Sequence, residues 1–331
     1  MKPLRGTMIG AGYFATFQAE AWNRLAGVEI VAVADASPGK AAEFAARFAI
    51  PRAYERVEEM LDVEQPEFVD IVTRPESHLL LTRLAAACGI HVICQKPMAP
   101  SMDDCVAMCE ACERAGVRLL VHENWRWQPW YRQLKRLLAD GVLGTPFQFS
   151  FFWRTGDGRG PDAYPAQPYF RQMPRLMIYE SLVHILDTFR FLGGEMQVQS
   201  CQTAQLNPAI AGEDYALIVT SFESGAVGLI DANRCTGPVP ALVAMGTCIV
   251  EGAEGMLRVS PVGEMFRMLP GEPEERLPFT PPDQGYKGDS VYVTQAHLLD
   301  RLRSGAPSES DGRDYLRTVA LVEACYDFGV R

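Results

Sequence analysis

The sequence predicts an α/β protein in two parts. A doubly wound parallel sheet comes first, followed by an α+β domain on an open, mostly antiparallel sheet. Three observations carry this reading. Over about the first 120 residues short apolar runs alternate with helical stretches, the pattern of parallel strands with crossover helices on both faces. A glycine turn, Gly10-x-Gly12-x-x-Ala15, joins the first run to the first helix. From about Ala204 the pattern changes to strand pairs joined by tight turns.

The strand candidates of the first part are TMIGAG from Thr7, VEIVAVAD from Val28, EFVDIVT from Glu67, HVICQ from His91 and RLLVHE from Arg118. They are nearly all apolar, as strands covered on both faces should be. The stretches ATFQAEAWNRL, GKAAEFAARF and HLLLTRLAAAC between them read as helices, and a further helix follows Ser101. Ser101 with Asp104 forms a capping box there, and Gly116 is a natural stop. That helix carries Cys105, Cys109 and Cys112 in a C-x3-C-x2-C spacing also used to hold iron–sulfur clusters. On a helix, however, Cys105 and Cys112 stand about 10 Å apart along the axis. Such thiolates do not converge, and with Met108 they read as a buried face that uses cysteine as a small hydrophobe.

In the second part EDYALIVTSFESGAVGLIDANR reads as two strands turning at Ser224-Gly225, and TCIVEGAEGMLRVS as another pair. Helices are expected near Tyr131–Asp140, Met177–Leu192, Val291–Arg303 and Asp314–Phe328, with a long loop from Pro270 to Gly288. A boundary near Glu123 gives domains at 1–123 and 124–331.

The net charge of −10 argues against nucleic acid or an anionic membrane surface as a partner. No apolar run reaches the roughly 18–20 residues of a membrane span, and the N-terminus shows no cleavable signal pattern, so the cytoplasm is the expected location. The five histidines have no ligand spacing, and no metal is expected.

The glycine turn is informative in its context. The first glycine permits the turn, the second admits a pyrophosphate, and the small third residue lets helix and strand pack. Asp35 ends the second strand, close to the spacing of a ribose-binding carboxylate. Together they indicate a Rossmann dinucleotide site. Asp35 favours NAD, because a carboxylate repels a 2′-phosphate, and the nearby Lys40 keeps NADP as the alternative.

At this point the chain resembles one family, the glucose–fructose oxidoreductase and inositol dehydrogenase (Gfo/Idh/MocA) family, over essentially its whole length. GAGYFA with ADAS looks like the family's cofactor loop, and VTRPESH like its threonine–x-proline–x-x-histidine segment beside the nicotinamide. CQKPM is similar to its glutamate–lysine–proline signature, NWRWQP to its asparagine–x-arginine segment, and YESLVHILD to its acid–x3–histidine–x2–aspartate helix. Two departures stand out: Gln95 replaces the signature glutamate, and Glu180 and Leu182 replace the commoner aspartate and glycine. The resemblance implies a dehydrogenase or reductase of sugars, cyclitols or related polyols, dimeric or tetrameric through the open sheet. It implies cofactor contacts at Gly10, Gly12, Tyr13, Phe14, Ala15, Asp35, Thr73, Arg74, Pro75, His78, Gln95 and Lys96.

Residue chemistry points the same way. Lys96 follows the end of a parallel strand, where such sheets bind ligands, and Pro97 disfavours helical backbone there. At 100° per residue Leu182, Ile185, Leu186, Phe189 and Leu192 form an apolar stripe, with Glu180, His184 and Asp187 on the other side. His184 is the expected proton acceptor, Glu180 its orienting partner, and Lys96 the donor to the reacting oxygen. Asn124, Arg126, Arg154 and Asp187 are the further substrate candidates. Trp125, Trp127, Trp130 and Trp153 read first as packing and second as stacking faces for a sugar. An NADPH-dependent ketosugar or diketone reductase, a dinucleotide-sensing regulator and an NAD-dependent glycosidase remain the alternatives.

Overall fold

The computed structural model describes residues 2–328. The first eleven elements alternate strictly: β1 (Leu4–Ile9), α1 (Tyr13–Arg24), β2 (Val28–Ala34), α2 (Lys40–Phe48), β3 (Arg52–Tyr54), α3 (Val57–Glu64), β4 (Phe68–Ile71), α4 (Pro75–Ala87), β5 (His91–Gln95), α5 (Met102–Ala115) and β6 (Leu119–His122). Their strands form one parallel sheet in the order β3-β2-β1-β4-β5-β6. The order reverses at β1, so the crevice beyond the carboxyl ends of β1 and β4 is the topological switch point. β3 and α3 escape a sequence reading because the strand has three residues, none buried, and the eight-residue helix is too short for its period to show. Gly6 lets the Phe68 ring cross β1, since a Cβ there would lie 2.2 Å from it. The cysteine helix is α5: the Ser101 hydroxyl accepts the Asp104 N–H, and Cys105, Met108, Cys109 and Cys112 are all buried.

Then follow α6 (Pro129–Ala139), β7 (Pro146–Arg154), a π-helical turn at Met177–Leu182, α7 (Val183–Gly193), β8 (Met196–Ala204), β9 (Tyr215–Phe222), β10 (Val227–Asn233), β11 (Gly246–Gly252), β12 (Gly255–Val259), β13 (Met265–Met268) and β14 (Glu275–Arg276). Their sheet runs β14-β13-β12-β11-β7-β10-β9-β8, antiparallel except where β7 meets β10. The β9–β10 and β11–β12 pairs are the two hairpins read from the sequence. β7, inside the sheet, and β8, at its edge, are not evident from sequence, because neither is followed by a hairpin turn into its partner.

The expected helix near 177–192 differs in kind. Its first turn is π-helical, and α7 is buried all round: His184, Asp187 and Arg190 as well as Leu186 and Phe189. Its polar side is thus an interior surface.

The chain forms two compact units, Met1–Asn124 with Ser290–Val319, and Trp125–Asp289 with Ala320–Arg331. The last two helices are α8 (Ser290–Ser304) and α9 (Gly312–Asp327). Residues 290–319, which sequence reading assigns to the second domain, therefore pack with the first. Leu298 and Leu299 share a core with Met8, Trp22, Ile93 and Leu120. Arg118 donates to the carbonyls of Arg301 (2.6 Å) and Ala306 (2.9 Å) and to Asp311 (2.7 Å). A boundary set by composition cannot register such a return of the chain.

Asp70 on β4 is wholly buried. Burial raises its pKa to about 7, against hydrogen bonds from Trp22 and Gln18 that oppose the shift. From about pH 4 to 7 the folded chain therefore holds a proton that the unfolded chain has released. This group's contribution to stability falls as pH rises through that window and is level above it. Asp70→Asn should remove the slope. The variant's unfolding free energy relative to the parent should rise by on the order of a few kcal/mol between pH 4 and 7.5, read by urea titration. A constant difference over that range would refute the assignment.

Candidate active site

The cofactor half lies at the carboxyl ends of β1, β2, β4 and β5. Gly10 has φ +103°, and a Cβ there would lie 2.5 Å from the Val72 carbonyl oxygen. Gly12 caps α1, and a Cβ on it would meet no protein atom within 4 Å. Packing alone thus does not demand this glycine, while the bare backbone before a helix N-terminus suits a pyrophosphate. Tyr13 is about half exposed in the first turn of α1, Phe14 packs near Phe17 and His122, and Ala15 is fully buried.

Asp35 accepts the N–H groups of Ala11 and Ser37, each at 2.9 Å, and its Oδ2 stands 3.4 Å from the Lys40 ammonium. Burial pushes its pKa up, but those N–H groups, the Ser37 hydroxyl and Lys40 outweigh it, and the carboxyl titrates below its usual range. An ionised, oriented carboxylate at the end of β2 fits a ribose diol. Lys40 partly offsets the charge that would repel a 2′-phosphate.

Thr73 and Ser77 share a 2.7 Å hydrogen bond, Arg74 caps α4, and Pro75 opens it. His78 has no exposed surface. Its ring nitrogens face the carbonyls of Met98 (3.0 Å) and Thr73 (3.2 Å), and burial lowers its pKa. It ties the start of α4 to the segment after Lys96 and offers no surface to a cofactor, contrary to the expected contact.

Lys96 is partly buried directly beyond β5, and its peptide bond to Pro97 is cis. Gln95 is buried. Its Oε1 accepts the Lys96 N–H at 2.7 Å, and its Nε2 donates to Gln18 Oε1 at 3.0 Å. It faces the interior and holds the Lys96 backbone. Asn124 donates to Ser290 at 3.1 Å, within the same unit.

In the second unit His184 lies 4.5 Å, centroid to centroid, from Trp125 at an interplanar angle of 22°, and Trp125 stacks in turn on Trp153 at 5.4 Å. Glu180 sits in the π-helical turn, where its Oε2 accepts from Ser181 at 3.3 Å. The expected i, i+4 spacing of Glu180 and His184 thus spans a junction of two helix types. The other substrate candidates already have protein partners. Arg126 and Asp187, both buried, bind each other through two hydrogen bonds of 2.7 and 2.6 Å. Arg154 is held by Asp231 and by the carbonyls of Trp153 and Asp231.

Sequence reading singled out neither of two cations of this unit, the buried Arg234 and the partly buried Lys287. Arg234 is buried, donates to Ser181 Oγ at 3.2 Å, is ion-paired to Asp157, and lies over Tyr164 at 4.5 Å. Lys287 donates to the Val243 carbonyl at 3.1 Å, and its ammonium lies 5.8 Å from the Trp125 ring centroid. Burial, aided by Arg234 and opposed by Asp157, pushes the Lys287 pKa down to about 8. The only signal in the sequence was a lysine in a glycine-flanked stretch, GYKGD, inside a loop. Among the described residues no group of three or more His, Cys, Asp or Glu side chains is arranged to hold a metal.

Comparisons with known proteins agree with this fold. A family model described as "Oxidoreductase family, NAD-binding Rossmann fold" matches residues 4–123, and the GFO/IDH/MocA C-terminal domain matches residues 131–258. D-apiose dehydrogenase of Paraburkholderia graminis is 38% identical over 98% of this chain and 88% of its own. The chain belongs to the Gfo/Idh/MocA oxidoreductase family. D-apiose dehydrogenase of Rhizobium rhizogenes is 34% identical over 99% of this chain and 95% of its own. A crystal structure of an oxidoreductase from Agrobacterium radiobacter, in complex with NAD+, L-tartaric acid and magnesium, has a TM-score of 0.89. That relative is 33% identical and covers 99% of this chain and 96% of its own. As a member of this family the chain is an NAD-binding oxidoreductase.

The Arg126–Asp187 pair gives a direct check on the substrate candidates. Arg126→Met leaves a buried carboxylate uncompensated and should cost about 3–5 kcal/mol of stability in urea unfolding. A rise in KM with an unchanged unfolding curve would instead return Arg126 to the substrate.

Proposed function

We propose that this protein is an NAD-dependent dehydrogenase of a sugar, cyclitol or related polyol, acting at a hydroxyl-bearing carbon. The observation that carries the reading is the occurrence in one family member of Lys96 beyond β5 and of His184 against an indole face. Bound NAD supplies the hydride acceptor. In this proposal Lys96 donates to the reacting oxygen and steadies its developing charge, and His184 takes the hydroxyl proton, oriented by Glu180. The Trp125 wall suits the C–H face of a sugar. The relatives' names, D-apiose dehydrogenase and myo-inositol 2-dehydrogenase, support a polyhydroxylated substrate. NADP-linked reduction is the second reading, favoured by Lys40 beside Asp35.

The same proposal includes a cytoplasmic setting and a homodimer or homotetramer through the second sheet. Its nine cysteines, all free thiols, support the first. The second is supported by Leu217, Val219, Leu229, Phe152 and Ile249, which share the less buried face of that sheet. Light scattering should give at least twice the chain mass, and a monomer would refute the assembly.

The test of function is NADH or NADPH production with D-apiose, other aldoses, cyclitols and L-tartrate. Turnover of at least one sugar or cyclitol, faster with NAD+ than with NADP+, is expected. Lys96→Met and His184→Phe should each lower kcat about 10²–10⁴-fold while NADH still binds. Near-parental turnover in either variant removes that residue from the scheme, and silence across the whole panel removes the scheme.

A further inference from the structure

The network behind Lys96 has a direction. Asp70 is enclosed by three hydrogen bonds, all donated to it: two from Gln18 Nε2, at 2.9 and 2.8 Å, and one from Trp22 Nε1 at 2.7 Å. Above about pH 7, where Asp70 is ionised, this is the environment of an acceptor-only carboxylate. With its amide nitrogen committed to Asp70, Gln18 turns its Oε1 to Gln95. Gln95 must then present its own nitrogen to Gln18, which leaves its Oε1 for the Lys96 N–H. A second donor, Gln295 Nε2, fixes the Gln18 backbone carbonyl at 3.1 Å. The chain runs from a group that only accepts to a backbone N–H that only donates, and each amide between has one workable orientation.

A glutamate at position 95, the residue of the family signature, breaks this line. It accepts the Lys96 N–H with one oxygen, but its other oxygen then meets Gln18 Oε1, acceptor against acceptor. Turning the Gln18 amide relieves that contact only by placing its oxygen against Asp70. One amide cannot serve two buried carboxylates from opposite ends.

We infer that Asp70, Gln18 and Gln95 act as one positioning unit for Lys96, and that Asp70 carries here the negative charge that the signature places at position 95. Gln95 is then not a loss of the signature acid but the consequence of its relocation by two amides. The functional part of this inference rests on the role assigned to Lys96 above.

The relocation is reversible on paper, and that supplies the test. In Asp70→Asn with Gln95→Glu every polarity inverts. Trp22 donates to the amide oxygen now at position 70, and the amide nitrogen there donates to Gln18 Oε1. Gln18 donates in turn to the carboxylate now at position 95, which still accepts the Lys96 N–H. At pH 8, Q95E alone should weaken NADH binding at least fivefold and lower kcat at least tenfold, with KM changed less than kcat. D70N alone should be milder, and D70N/Q95E should return both quantities to within about threefold of the parent. NADH affinity, read by fluorescence, needs no substrate, so it reports even if the proposed activity fails, while loss of turnover in Lys96→Met tests that activity separately. Gln18→Met, which cuts the line without adding charge, should reproduce the loss in kcat. Additive effects in the double variant overturn the inference, as do an unaltered Q95E, an unaltered Q18M, or changes in melting temperature alone. If Q95E does not fold, recovery of folding in D70N/Q95E supports the inference, and failure of both overturns it.

Discussion

A buried carboxylate with no counter-charge sets the terms for the cofactor unit. Asp70 sits in a sheet whose buried residues are mostly apolar, and each neighbour that keeps it hydrated in effect is an amide or an indole. Because Gln18 and Trp22 both lie on α1, the helix that opens at Gly12 is tied by its flank to β4. Rotating α1 would move the phosphate-facing backbone and strip donors from Asp70 at once. The glycine turn and the lysine segment are therefore not independent loops.

The second unit uses a different device. Its histidine stands on a buried helix with its ring stacked on Trp125, and the same helix supplies Asp187 to the bonded pair with Arg126. Burial of that kind fixes a rotamer through packing, whereas Lys96 is fixed through its backbone. The change from π-helical to α-helical hydrogen bonding falls between Glu180 and His184, and such irregular turns are frequent at functional sites.

What sequence made legible follows from the range of the signal. The strand–turn–helix at Gly10, the end of β2 at Asp35 and the turn at Ser224-Gly225 are local, and each is written in a few adjacent residues. The partnership of Arg126 with Asp187 spans 61 positions, and that of Gln95 with Gln18 spans 77. A polar residue looks equally available whether it awaits a ligand or already has a mate, so sequence alone presents Arg126, Arg154 and Asp187 as substrate contacts. The same blindness hides β7, whose neighbours β10 and β11 arrive about 80 to 100 residues later. Resemblance to the family compensates at Lys96 and His184 but cannot say what stands behind position 95.

The return of residues 290–319 to the first unit also bears on how the chain is made. Leu298 and Leu299 complete a core begun by Met8, and Arg118 finds its carbonyl partners only in the segment from Arg301 to Asp311. On a ribosome delivering about 5–20 residues each second, the nucleotide-binding sheet must wait for nearly the entire polypeptide before its interior closes. The strands of the second sheet are complete at Arg276, but its unit also takes the chain from Ala320 onward, so neither unit is whole until the last helix has been made. A nascent chain stalled near residue 124 would leave apolar surface waiting for helices not yet translated, which makes that interval the one in which a chaperone has most to hold.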